Sequence, residues 1–146
     1  MLGRLSKWLR VFGYDTAYAK ENSRPGIILQ SLRESRILIT RDHNLSRKRA
    51  WKLVLIQSNK VEEQLRQVIN ETRINPSPDR LFSRCTICNG QIEKVKDKET
   101  VKPLVPDYVY QTQNVFSRCA LCGKVYWMGT HRDLLLKTLQ RAGIRL

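Results

Sequence analysis

The sequence predicts a mixed α/β protein: a small parallel sheet with helices, then a compact cysteine-bearing domain and a C-terminal helix. Three observations predict it. Short apolar, β-branched runs, "RILIT" and "KLVLIQS", alternate with amphipathic stretches, the order that builds a parallel layer. "NPSPD", from Asn75 to Asp79, is a linker signal. Beyond it, "FSRCTICNG" (Phe82 to Gly90) and "FSRCALCGK" (Phe116 to Lys124) spell Phe-Ser-Arg-Cys twice and together use all 4 cysteines. The predicted domains are therefore residues 1–74, a linker at 75–80, and residues 81–146.

Taken in order, "LGRLSKWLRVFG" places Leu2, Leu5, Leu9 and Phe12 at helical spacing, with Trp8 alongside and Gly13 at the end. "DTAY" reads as a short strand. Pro25 suits the first turn of a second helix, which "GIILQSLRES" continues with Ile28, Leu29 and Leu32 turned inward. "RILIT" and "KLVLIQS" read as buried strands, with "LSRKRAW" as a small basic helix between them. "VEEQLRQVIN" sets Val61, Leu65, Val68 and Ile69 on one face of an amphipathic helix. Past the linker, short strands lead to a helix starting near His131, and "KPLVPDYVYQT" is expected to form a hairpin.

Lys+Arg number 27 against 13 Asp+Glu, a net charge of +14. The excess is +8 over residues 1–80 (16 basic, 8 acidic) and +6 over residues 81–146 (11 and 5), so it is not confined to a tail. Such a field favours polyanions, above all nucleic acid. No apolar run approaches the roughly 18–20 residues that span a bilayer. "MLGRLSKWLR" has no uninterrupted apolar stretch and reads as a helix of the fold rather than a targeting segment, so an intracellular protein without a membrane partner is expected. There is no Ser/His/Asp arrangement, phosphate-cradling glycine loop or dinucleotide fingerprint.

Cys85, Cys88, Cys119 and Cys122 form two C-x2-C pairs separated by 30 residues. Two thiolates three positions apart reach one ion when the chain between them folds as a tight knuckle. That turn calls for a positive φ, expected at Gly90 and Gly123. Two knuckles complete a tetrahedral site, so the pattern predicts a zinc ribbon holding a structural Zn2+. Four protein ligands leave no open position for catalysis. Disulfides are the rival reading, but a secreted framework goes with a signal peptide. Phe82 and Phe116 are expected to pack around the site, and Arg84 and Arg118 to screen its charge. His131 is read as a helix-start or surface residue rather than a ligand.

"MLGRLSKWLRVFGYDT", "RILITRD" and "FSRCTICNG…VPDYVYQTQNVFSRCALCGKVYWMGTHRD" together resemble the Mut-seven C-terminal RNase domain family over nearly the whole chain. The resemblance implies a PIN-like nuclease fold followed by a zinc ribbon. It also implies a metal-dependent RNase whose clustered carboxylates hold Mg2+ or Mn2+ to activate water against a phosphodiester. The family's first strand, ending in an Asp, stands immediately before "MLGRL", so the layer is expected to be a truncated PIN-like sheet. Where members carry an acid entering the second helix, this chain reads "ENSRPG", with Arg24 about there and Glu21 nearby. Asp42 of "TRD" is retained and is the candidate catalytic residue, with helix capping as its alternative role. Asp15 matches the family's "GYD" and reads as a turn residue, and His43 as incidental.

The expected function is RNA binding without catalysis, within a ribonucleoprotein such as a ribosome. The alternative is a metal-dependent RNase whose first strand is encoded upstream. "RDHNLSRKRAWK" offers Arg41, Arg47, Lys48, Arg49 and Lys52 to phosphates. Trp51 in that run suits a stacking ring, but a core position is expected. Lys94, Lys96, Lys98 and Lys102 form a second RNA-facing set in the insert. A protein segment filling the vacant first-strand position is the other expected partner, with the chain poorly stable in its absence.

Overall fold

The computed structural model describes residues 2–19, 23–129 and 131–146; Glu21 lies outside them. The protein is mixed α/β, with a two-stranded parallel sheet and a three-stranded antiparallel sheet. It divides into two compact units, residues 1–6 with 17–75 and residues 7–16 with 76–146. Helix α1 (Gly3–Val11) starts in the first and finishes in the second. Its Leu5 and Leu9 are buried, as is Phe12 just beyond it. No helix among the described residues is long and apolar enough to cross a membrane.

In the first unit α2 (Arg24–Glu34) begins at Ser23, whose hydroxyl accepts the Gly26 amide, with Pro25 in the first turn. Strand β1 (Ile37–Thr40), helix α3 (His43–Ser46), strand β2 (Lys52–Leu55) and helix α4 (Val61–Thr72) follow. The strands pair in parallel from Ile37 opposite Lys52 to Thr40 opposite Leu55. Leu38, Leu45, Val54, Ile56, Leu65 and Val68 are buried.

Three expectations change here. Ser31 is the buried residue of α2, because its hydroxyl donates to the Arg36 carbonyl and accepts the Trp51 amide. The inward face therefore runs through Ile27, Ile28 and Ser31, and Leu29 and Leu32 are exposed rather than inward. Helix α3 ends at Ser46 instead of running through "LSRKRAW". A parallel connection must return from the carboxyl end of β1 to the amino end of β2. The Lys48 amide bonds back to the Leu45 carbonyl, three residues behind rather than four, which closes the helix in a tight turn before the irregular chain up to β2. "DTAY" is not a strand. The Thr16 amide and carbonyl bond to the side chains of Asn89 and Arg10, leaving nothing for a ladder.

In the second unit a 3-10 helix spans Pro78–Arg80, within the segment expected as a linker. Strands β3 (Ile92–Lys94), β4 (Phe116–Cys119) and β5 (Val125–Trp127) form the antiparallel sheet in that order. The insert is helical, not a hairpin: a 3-10 helix over Lys98–Leu104, then α5 (Asp107–Thr112). Pro103 and Pro106 lack the N–H groups a hairpin ladder would use. Val101, Val105 and Val109, four positions apart, are buried with Phe116 and Val125. Helix α6 (His131–Ala142) closes the unit with Leu135, Leu139 and Ala142 buried, and His131 is its exposed first residue.

Candidate metal centre

The two halves of the repeat fold alike, bond for bond. Each first-cysteine amide donates to the carbonyl five residues on, Cys85 to Gly90 (2.8 Å) and Cys119 to Lys124 (2.9 Å). The residue after each second cysteine donates back: Asn89 to the Cys85 carbonyl, Gly123 to that of Cys119. Each repeat arginine then clasps its own knuckle, Arg84 on the Asn89 carbonyl and Arg118 on the Gly123 carbonyl, both at 3.1 Å. So each repeated Arg braces the turn of its own knuckle. The repeated Phe is not equivalent. Phe116 lies in the valine core, whereas Phe82 sits in a turn at φ 59, its amide on the Val11 carbonyl.

The positive φ falls at Asn89 (67°) and Gly123 (77°), so Asn89 and not Gly90 makes the first turn. Asparagine tolerates this region better than most residues. Here its side chain is also used, accepting the Thr16 amide and donating to the Asp15 carboxylate at 2.7 Å. Gly90 serves close approach instead: a Cβ there would stand 3.0 Å from Cys119 Sγ.

The sulfurs of Cys85, Cys88, Cys119 and Cys122 all lie within 4.8 Å of one another, with Cys85–Cys122 at 3.6 Å and Cys88–Cys119 at 3.3 Å. A tetrahedral Zn–S site with bonds near 2.3 Å has sulfurs about 3.8 Å apart, so the donor set fits such an ion. Among the described residues it is the one group of metal-ligating side chains that could hold a metal ion. Burial opposes ionisation of Cys85. The Tyr126 hydroxyl (3.0 Å) and the Cys88 and Ile87 amides outweigh it and lower the thiol to about 6. Cys119 is lowered too: desolvation opposes, and the Cys122 and Leu121 amides prevail. At Cys122 the Lys124 amide favours the thiolate, but desolvation and the three neighbouring sulfurs push it up to about 11. Sulfurs this close cannot all be anionic unaided, and a divalent cation removes the conflict.

Two residues the sequence did not single out complete the centre. The Tyr126 hydroxyl accepts the Thr86 amide (3.1 Å) while facing Cys85 Sγ, and burial pushes it up to about 12. Arg10, only 7% exposed, donates to the Thr86 and Ile87 carbonyls between the first two cysteines and to the Thr16 carbonyl. It sets a buried guanidinium against the backbone of the first knuckle. No local pattern marks it, since its partners lie 76 and 77 residues away.

Asp42, the retained acid, is committed elsewhere. Its Oδ1 accepts the Asn44 amide at 2.8 Å, capping α3, and its Oδ2 accepts Arg24 Nε at 2.7 Å. The Asn44 amide foremost, and against desolvation the Arg24 guanidinium, hold its carboxyl below the usual range. The structure also sorts the basic residues. Arg47, Lys48, Arg49 and Lys52 are exposed and Arg41 half-buried, and no ion pair among the described residues takes them up. Trp51, expected in the core, is 61% exposed. Lys94 and Lys96 are exposed, whereas Lys98 (4.6 Å) and Lys102 (5.7 Å) lie over the Tyr110 ring.

The family model described as the Mut7-C RNAse domain matches residues 1–139. Neither the curated proteins nor the solved structures contain a match.

Proposed function

We propose a function from one premise: this chain belongs to the Mut7-C RNAse domain family. Within it, the protein binds RNA without cleaving it, as a component of a ribonucleoprotein such as a ribosome. One structural Zn2+ is held by Cys85, Cys88, Cys119 and Cys122. The ion would lock the two knuckles together, and with four thiolate ligands it would offer no position to substrate. The observation that carries the non-catalytic reading is the Arg24–Asp42 pair at 2.7 Å. Hydrolysis by the family's chemistry needs carboxylates free to neutralise divalent ions. Here a guanidinium occupies one oxygen of Asp42 and a helix cap the other. RNA as partner rests on the +14 charge and on Arg41, Arg47, Lys48, Arg49 and Lys52, which have no ion-pair partner among the described residues.

End-labelled RNA incubated with the purified chain and Mg2+ or Mn2+ tests this directly. The expected result is retarded, intact RNA. Divalent-dependent cleavage that disappears in Asp42→Asn would overturn the proposal in favour of a metal-dependent RNase, the reading the family description itself favours.

A further inference from the structure

We infer that Trp51 is a stacking platform for an unpaired RNA base, at the sheet edge opposite Asp42. The inference rests on the RNA-binding reading and names the form of RNA recognised. The indole of Trp51 is 61% exposed, so a ring face is free beside the row of cations Arg47, Lys48, Arg49 and Lys52. Its backbone is fixed: the Trp51 amide donates to Ser31 Oγ at 3.1 Å, and β2 begins at the next residue. The ring is thus presented from a rigid point rather than a loose loop.

The parallel register says where. Lys52 pairs with Ile37 at the amino ends of both strands, whereas Asp42 follows Thr40 at the carboxyl end of β1. The two positions are separated by a four-residue strand, roughly 13 Å. The segment joining the two ends carries Arg47, Lys48 and Arg49, all exposed, and Lys52 follows Trp51. A backbone lying along these cations would bring a base to Trp51 and stay away from Asp42. Single-stranded nucleic acid is held by this combination, a row of cations with a ring on which a base stacks. Paired bases, stacked on each other, leave no free face for the indole. An anionic membrane would also meet Trp and Lys/Arg. However, interfacial binding rests on a broad apolar face, and Trp51 is the one large apolar side chain that residues 41–52 expose among their cations. Leu29, Leu32 and Ile37 are exposed elsewhere in the unit, and the vesicle probe below separates a membrane from RNA.

The test compares wild type, Trp51→Phe and Trp51→Ala on a short single-stranded RNA and on a blunt RNA duplex, with phosphatidylserine vesicles as a third probe. Trp51→Ala should weaken single-strand binding about 5- to 150-fold, the range for one lost stacking contact. Duplex binding and the salt dependence should stay unchanged, and Trp51→Phe should retain most of the affinity. Single-stranded RNA should also quench wild-type tryptophan emission, and the quenching should vanish in Trp51→Phe although Trp8 and Trp127 remain. Equal single-strand affinity in wild type and Trp51→Ala overturns the inference while leaving RNA binding intact, as does equal weakening on both RNAs. No salt-dependent RNA binding by the wild type defeats the RNA reading itself. Trp51-dependent capture by vesicles without RNA binding replaces the inference with a membrane surface.

Discussion

Asp42 accepts the Asn44 amide on one oxygen and Arg24 on the other, and both bonds favour the ionised carboxylate. Its pKa is therefore lowered on folding, chiefly by the Asn44 amide. The sign follows: the stability it contributes is complete above the unfolded pKa, near 3.9, and is lost as pH falls through the depressed folded value. Asp42→Asn should thus melt below the wild type at neutral pH, with the gap closing below about pH 4. Acid also protonates the cysteine ligands, but in both proteins alike, so the difference between their melts isolates Asp42. Melting curves from neutral pH down to about pH 3 check this. A gap that stays constant would mean that neither the cap nor the Arg24 pair depends on the charge.

The knuckles are elements whose chemistry is local, and that is why they were legible. Four cysteines at matched spacing specify a tetrahedral donor set without any long-range information. What escaped the sequence is what long-range contact decides. Asn89 took the first positive φ because its side chain also bonds Asp15 and Thr16. Val101, Val105 and Val109 carry a four-residue spacing that Pro103 and Pro106 masked as turns. Ser31 took the inward place of Leu29 and Leu32 through two hydrogen bonds that no propensity records. The parallel pair, by contrast, followed from its β-branched runs. The same long-range bonds make α1 partly an element of the metal unit, since Arg10 clamps the first knuckle and Val11 receives the Phe82 amide. Structural zinc sites contribute roughly 10–16 kcal/mol, largely as folding free energy. With the proposed metal bound at the four cysteines, its removal by a chelator should therefore deprotect residues 7–16 in hydrogen exchange together with the Cys85 and Cys119 amides. The β1–β2 pair should keep its protection. Full protection of residues 7–16 after metal removal would show that α1 folds independently of the ribbon.

Across the whole molecule the basic excess is shared evenly. The first unit has 13 basic and 6 acidic residues and the second 14 and 7, an excess of +7 in each. Neither unit is therefore a neutral scaffold for the other, and both can neutralise phosphates. Each phosphate neutralised on single-stranded RNA releases counterions and adds about −0.7 to the log–log dependence of affinity on salt. The first unit's contribution is concentrated in the connection before β2, where Arg47, Lys48 and Arg49 are exposed. In the second unit Lys98 and Lys102 are partly held by Tyr110, so Lys94 and Lys96 are the freer cations. Replacing Arg47, Lys48 and Arg49 together with alanine should make the slope shallower by up to about 2, and replacing Lys94 and Lys96 by up to about 1.4. The two changes should add if both surfaces lie along one RNA, because separate contacts release separate counterions. Binding isotherms over a salt series, for each variant and for the combination, measure this. A slope altered by only one set would assign the RNA to one unit, and a slope altered by neither would move the RNA surface off both.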